Sequence, residues 1–528
     1  MSSSHKKNPH FLFSSIPAWG NLAFFGHTRS FCNLAARIVK EDEHALVTLL
    51  LTPNLIKNAQ AEVEAEFRGA VPDSVIRRVR ILSSIKHQKL RLVELFRVHA
   101  QAYASEYYPA LIQGKALTCA VTGTIFDGVT PPNVVVIDYM AYPILQVTRA
   151  ISGTSVPIIA WITGHVSNVI RSMGPEHFGG IGDLGAKMKT EAARLGVSPL
   201  ELGDSLLDTS IGTIVKVPGL VEMYDWELFP QILPQPVEVP LSTIVKFGHR
   251  SIKEADDVLV TSTHSFEEES MDGLKAWLSE WNKDAYIIGP LLPSGYGILE
   301  ESDRGSKETR DFLDKVLKEH GENSVIFLSF GTVFWPTSQD YIEEAIEAFI
   351  EKNIPFLLCY ASHIANLSEE IINKVQGSGI GLVSKWLPQQ FILNHPATGW
   401  FISHCGHNSV MESLASGIPM LCWPFHADQP YGAAHISENL KVGIELIEVR
   451  TGASGLKPLR RNGRQAKGSR EAFGIEIRRV IDDLRAERGT EIRKNAANMK
   501  PKLANTWAAD GGIGRKEFER FLTKYNFL

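Results

Sequence analysis

The sequence predicts an α/β protein built from two doubly wound domains. Three observations carry that expectation. Short apolar runs such as Val134–Ile137 and Ser324–Ser329 alternate with segments of helical period, the pattern of a parallel sheet covered on both faces. The alternation occurs twice, on either side of Pro293–Lys307, which mixes Gly, Ser, Pro and charge without a period, so a linker is set at 293–310. The 528 residues also exceed what one core ordinarily serves.

In the first half (1–292), His10–Ile16 reads as a buried strand ended by Pro17. His27–Lys40 reads as a helix capped by Thr28 or Ser30, with Phe31, Leu34, Ala35, Ile38 and Val39 on its apolar face. His44–Leu51 and Val79–Leu82 are strands, and Leu90–Leu111 is one long amphipathic helix. The strand Val134–Ile137 delivers Asp138 at its end, followed by a helix at Ala141–Ile151 and a strand at Pro157–Trp161. Met173–Leu207, rich in Gly, reads as an irregular cover over a pocket mouth, and Val217–Pro240 as extended surface chain. Ala255–Thr261 is a further strand, and Ile287–Leu292 closes the half.

In the second half (311–490), Ser324–Ser329, Phe356–Cys359, Gly381–Trp386, Trp400–Ser403 and Pro419–Trp423 read as strands. Ser338–Lys352, Ser409–Ser416, Ala472–Arg488 and Glu491–Trp507 read as helices, the last within a C-terminal part at 491–528. Gly455–Arg470 holds six cations and no acid. It reads as a disordered basic loop within 450–470, with a contact to anionic lipid as the sharper alternative.

Net charge is −5, which gives no general attraction to nucleic acid or anionic membrane. Five scattered cysteines fit reduced core thiols better than a disulfide frame. The apolar run after the basic N-terminus, Phe11–Ile16, is too short for a signal-peptide core, and no apolar stretch is long enough to span a bilayer. A cytoplasmic monomer without a nucleic-acid partner is expected.

The chemistry concentrates in Trp386–Gln429. Ser403 to Ser409 sits at a strand-to-helix junction, where the first N–H groups of a helix and its dipole favour a diphosphate. Gly406 permits close approach, and His404, Asn408 and Ser409 add side-chain donors. Glu412, one turn into the helix, suits two vicinal ribose hydroxyls. Trp386 offers a face on which a base can stack, and Asp428 and Gln429 open a later helix where they could take sugar hydroxyls. Each has a plainer reading, Glu412 as an exposed helix glutamate and Trp386 as core. His404, Cys405 and His407 as metal ligands lack a fourth partner at the usual spacing.

The ordered set over 44 residues resembles the signature box of the family-1 UDP-glycosyltransferases. Val217-Pro218-Gly219-Leu220, Ala255–Phe266, Ile288-Gly289-Pro290 and Ser329-Phe330-Gly331-Thr332 are similar to further landmarks of that family, so the resemblance covers nearly the whole chain. It implies the GT-B fold, two facing Rossmann-like domains with a cleft between them. The acceptor would sit in the first domain and the UDP-sugar mainly in the second, with the last helices packing back toward the first. It further implies that Trp386 stacks on uracil, Gln389 assists at the base or ribose and Glu412 holds the ribose. Thr332, His404, Asn408 and Ser409 would contact the phosphates. Asp428 and Gln429 would hold the sugar, and a closing Gln is the form associated with glucose. His407 departs from the pattern, since plant members usually carry Trp there.

Such a transfer needs a base for an acceptor hydroxyl, and a neutral His with an ordinary pKa of about 6.5 suits it. An Asp beside it fixes the tautomer and stabilises the imidazolium. His27 and Asp138 match the family's dyad by position. The expected reaction is an inverting transfer of glucose from UDP-glucose to a hydroxyl of a lipophilic small molecule, with no cofactor and no metal. One departure bears on it: Asn21–Gly26 looks like a six-residue insertion between Pro17-Ala18-Trp19-Gly20 and His27. The alternative it opens is a UDP-sugar-binding protein with an impaired base; a further alternative keeps the fold and changes the reaction, for example a sugar-nucleotide epimerase.

Overall fold

The computed structural model describes residues 9–15, 25–67, 71–86, 92–208, 210–232, 239–293, 296 and 307–527. Two wholly parallel sheets organise them. The first contains β1 (His10–Ser14), β2 (Leu46–Leu50), β3 (Val79–Leu82), β4 (Val134–Asp138), β5 (Ile158–Ile162), β6 (Asp257–Val260) and β7 (Ala285–Ile287), in the spatial order 3-2-1-4-5-6-7. The second contains β8 (Val325–Ser329), β9 (Phe356–Cys359), β10 (Gly381–Ser384), β11 (Thr398–Ser403), β12 (Met420–Cys422) and β13 (Gly443–Glu445), in the order 10-9-8-11-12-13. Each order reverses once, between β1 and β4 and between β8 and β11. Such reversals leave a crevice beyond the strand ends where ligands bind.

The strands are apolar because helices cover both faces, and β1, β4, β5, β8 and β11 are buried at every position. Most expected elements lie within two residues of their observed bounds. The expected Leu90–Leu111 helix is Leu92–Ala102 and Tyr108–Ile112 joined through a wider turn at Tyr103–Tyr107. Pro109, with no N–H to continue the α ladder, follows that turn directly. Met173–Leu207, expected to be irregular, contains the helices Leu184–Leu195 and Pro199–Leu207. Asp183 caps the first, and a Ser198–Glu201 capping box starts the second. Their largely polar exposed faces hid them behind the local glycines. Residues 294, 295 and 297–306 of the expected linker, and Ile16–Phe24 before His27, lie outside the described residues. The helix Lys307–His320 begins inside the linker range.

Two segments bind the domains together. Glu487–Ala504 lays Ala496, Met499 and Leu503 into the second core, and the final helix, Ile513–Lys524, returns to the first through Phe518 and Phe521. Trp507 Nε1 donates to Ile288 O at 2.6 Å on the way. The second is the basic segment. Expected to be disordered, 450–470 is instead folded against Glu222–Leu228 of the first domain. Arg461 is sequestered between Glu227 Oε2, at 3.0 Å from its Nε, and Glu445 Oε1, at 2.8 Å from its Nη2. Arg460 pairs with Glu222, Arg464 with Glu476, and Trp226 Nε1 donates to Pro458 O. The balancing acids lie outside the segment in sequence, which is why the segment alone read as unpaired charge.

All five cysteines are buried and unpaired. Among the described residues no helix is long and apolar enough to cross a membrane.

Burial pushes the Glu445 carboxyl up, but Arg461 and Arg450 together hold it below its ordinary value. A depressed carboxylate stabilises the fold above its unfolded pKa and loses that contribution as pH falls through the folded one. Arg461→Ala should therefore cost about 3 kcal/mol at pH 7, since it removes the shared cation of two buried carboxylates and leaves Glu445 with Arg450 alone. The loss should shrink in urea unfolding below about pH 4, where carboxylates protonate.

Candidate active site between the two domains

The helix Phe25–Glu41 carries His27 in its first turn, and β4 ends on Asp138. β1 and β4 are neighbours, with Ser14 opposite Ile137, so both side chains emerge at the first switch point. His27 Nδ1 lies 2.6 Å from Asp138 Oδ2, with Asp138 fully buried and His27 14% exposed. A carboxylate only accepts, so Nδ1 carries the proton and Nε2 is the acceptor nitrogen. Burial alone pulls the His27 imidazole down. Asp138, by charge and hydrogen bond, and Asp428 from the second domain carry it above its ordinary 6.5.

At the second switch point β8 and β11 end in register, Ser329 opposite Ser403. Gly331 and Cys405 follow, both with positive φ, 71° and 67°. Ser403 Oγ accepts from Cys405 N at 3.1 Å, and Gly406 is the N-cap of the helix His407–Ser416. His404 is wedged between glycines: a Cβ on Gly406 would lie 2.6 Å from its Nε2, and one on Gly331 3.1 Å from its Cε1. Burial holds His404 down to about 4, so it is a neutral hydrogen-bonding group. Its Nδ1 has no partner among the described residues. Thr332 is exposed beside it, and Ser409 is buried in the first helical turn.

Glu412 is buried, not the exposed glutamate of the plainer reading. Gln389 Nε2 donates to its Oε2 at 2.6 Å, and Gln390 Nε2 to its Oε1 at 2.9 Å. Arg29 Nη1, from the first domain, lies 2.5 Å from Oε1. Trp386 is 60% exposed, so its face is open and it is no core residue. Sequence reasoning missed Gln390 and Arg29. Gln390 was legible as the neighbour of Gln389, whereas Arg29 is separated from its partner by 383 positions.

The pair expected at the sugar divides. Asp428 is partly exposed and faces the first domain, its Oδ2 3.7 Å from where a Cβ on Gly164 would stand. Gln429 is buried, and its Oε1 accepts from Phe425 N at 2.8 Å and His426 N at 3.3 Å. Its amide oxygen is thus spent on its own loop. His407 is buried against the first domain, its ring 5.1 Å edge-to-face from His165. Of the expected insertion, Asn21–Phe24 lie outside the described residues, and Gly26 belongs to the helix that carries His27. A Cβ on Gly26 would stand 2.6 Å from Asn408 Nδ2, so the two switch points touch there.

Two doubly wound domains meeting at their switch points define the GT-B class of glycosyltransferases. The solved structure of a transferase from Siraitia grosvenorii in complex with UDP superposes with a TM-score of 0.69 at 20% identity, over 98% of this chain and 99% of that one. Medicago truncatula UGT71G1 complexed with UDP-glucose gives 0.67 at 18% identity, over 99% and 100%. Residues 262–454 match the family model described as UDP-glucoronosyl and UDP-glucosyl transferase. UDP-glycosyltransferase eriJ of Hericium erinaceus is 30% identical over 92% of this chain and 94% of its own length. Linamarin synthase 1 of Manihot esculenta is 27% identical over 63% and 65%. The chain belongs to the UDP-glycosyltransferase family.

Burial holds His10, His99, His404 and His426 down to about 4, and His407 well below its ordinary 6.5. Below pH 6.5 the unfolded chain protonates these groups and the folded chain does not. Stability is therefore complete above that pH and is lost as pH falls toward about 4. The urea midpoint should drop steadily from pH 7 to pH 5, and His404→Asn should make the slope shallower. A constant midpoint over that range would contradict the neutral assignment.

Proposed function

We propose that the chain transfers glucose from UDP-glucose to a hydroxyl of a lipophilic small molecule with inversion at the anomeric carbon. The observation that carries this reading is the 2.6 Å contact of His27 with Asp138, at the strand ends that oppose Asp428. Nε2 of His27 takes the acceptor hydroxyl proton as the oxygen bonds to the anomeric carbon. The bond from that carbon to the phosphate oxygen breaks on the opposite side, and UDP leaves with its electron pair. Asp138 stabilises the resulting imidazolium.

In this reading Trp386 stacks on the uracil, with Gln389 beside it, and Glu412 takes the ribose hydroxyls. Thr332, His404, Asn408, Ser409 and the helix end at Gly406 receive the phosphates, and Asp428 and Gln429 orient the sugar. Neutral donors and the helix N-terminus balance the charge on departing UDP, so the proposed step needs no metal. A lipophilic acceptor agrees with the Tyr139 ring stacked beside His27, centroids 6.5 Å apart.

A second reading, UDP-sugar binding with an impaired base, rests on the expected Asn21–Gly26 insertion, whose last two residues open the helix that carries His27.

The two readings separate on His27. His27→Ala should lower kcat by roughly 10²–10⁴-fold while UDP affinity by calorimetry stays unchanged. The base works only when unprotonated and its pKa is raised, so the wild-type rate should climb with pH through a limb above 6.5. Asp138→Asn should move that limb to lower pH and lower its plateau. Binding of UDP with no turnover across a broad panel of hydroxylated aglycones would favour the second reading.

A further inference from the structure

His165 opens the helix Val166–Met173 of the first domain, three residues beyond β5, and is fully buried. Its polar contact is with the other domain. Nε2 lies 3.1 Å from the carbonyl oxygen of Cys405. A carbonyl only accepts, so Nε2 carries the proton and donates. The ring is held by Phe266 of its own domain, centroids 5.3 Å apart, and by the edge of His407 from the second.

Cys405 is the residue in this turn that holds the left-handed conformation without being glycine, which carries a conformational cost. Its neighbours are His404 and the helix N-cap Gly406, so its backbone sets where the His404 ring and the first turn of His407–Ser416 point. A third element closes on the same spot. A Cβ on Gly432, in the helix Gln429–Ala434, would stand 2.4 Å from His165 Nε2 and 2.9 Å from Cys405 O. A first-domain imidazole, the turn behind the phosphate site and the helix behind Asp428 therefore meet at one carbonyl.

We propose that His165 is a positioning residue of the donor site that acts from the opposite domain, holding the Cys405 turn against the Gln429–Ala434 helix. The phosphate and sugar halves of the site are then fixed relative to one another only while the domains are closed. This rests on the donor-site reading given above, and His165 acts through the backbone without touching the donor.

The test titrates UDP calorimetrically into the full chain as wild type, His165→Phe, His165→Gln and Asn408→Ala, with kinetics in UDP-glucose alongside. Phe keeps the ring and removes the donor; Gln places an amide N–H near the same point. His165→Phe should weaken UDP roughly tenfold and raise KM for UDP-glucose, because the Cys405 carbonyl loses its partner in a buried site. His165→Gln should recover most of that loss, and KM for the acceptor should stay unchanged. Gly432→Ala, which sets a methyl against Nε2 while leaving His165 intact, should weaken UDP similarly, and adding His165→Phe to it should cost little more. Wild-type affinity in His165→Phe, or equal loss in the Phe and Gln variants, would overturn the proposal. If Asn408→Ala weakens UDP and His165→Phe does not, this proposal alone falls. No UDP binding by the wild type would overturn the donor-site reading with it.

Discussion

The left-handed turn at Cys405 is the constraint on which the functional half of this molecule depends. β11 runs into it and the His407–Ser416 helix runs out of it, so its geometry aims the helix end at the cleft. Such a conformation persists in a non-glycine residue only where surroundings over-determine it. Here Ser403 Oγ takes the Cys405 N–H and His165 donates to the carbonyl, one bond from each domain. Gly331 and Gly406 then leave room for the His404 ring, and no side chain on either would fit without displacing it.

Charge crosses the cleft in the same region. Glu412 is buried, and a buried carboxylate needs partners. Two come from its own domain, Gln389 and Gln390, and one from the other, Arg29. A carboxylate offers about four lone-pair sites, so three donors leave too few for a full ribose diol. On the proposed reading, nucleotide entry and the Arg29 contact are in competition, and the cleft exchanges an internal cation for a ligand. The far side is held differently. Arg461, Glu227 and Glu445 are almost wholly excluded from solvent and make a fixed clasp between the domains. Exposed ion pairs contribute little to rigidity, but a sequestered one cannot open without stranding charge.

Periodicity made the two sheets legible because their strands are buried on both faces and so appear as bare apolar runs. The box from Trp386 to Gln429 was legible because its residues belong to one strand-turn-helix unit, where sequence spacing is also spatial spacing. His27 and Asp138 could be paired only because one opens the helix after β1 and the other ends β4, beside the same switch point. What the sequence concealed depends on contacts between distant segments. Arg29, His165 and the acids around Arg461 have no local signature, since their partners belong to the other domain or to the opposite end of one. The basic segment was misread for that reason: its composition described only one side of a charge pairing. The helices at Leu184 and Pro199 were hidden because glycines dominate the local pattern, although Asp183 and Ser198 were orthodox cap residues in plain view.

The six residues before His27 can be weighed from the helix they lead into. Phe25 and Gly26, the last two residues of the expected insertion, begin that helix. A helix extended backward keeps the direction of every later residue, and His27 reaches Asp138 at hydrogen-bonding distance. A Cβ on Gly26 would stand 2.6 Å from Asn408 Nδ2, so a larger residue there would have to displace the Asn408 amide. On the proposed reading, such an insertion adjusts what stands between the base and the phosphate loop and leaves His27 on Asp138. On the same reading its consequence falls on how donor and acceptor share the cleft, while the His27–Asp138 contact is set by the helix Phe25–Glu41 and by β4, the elements that carry the two side chains.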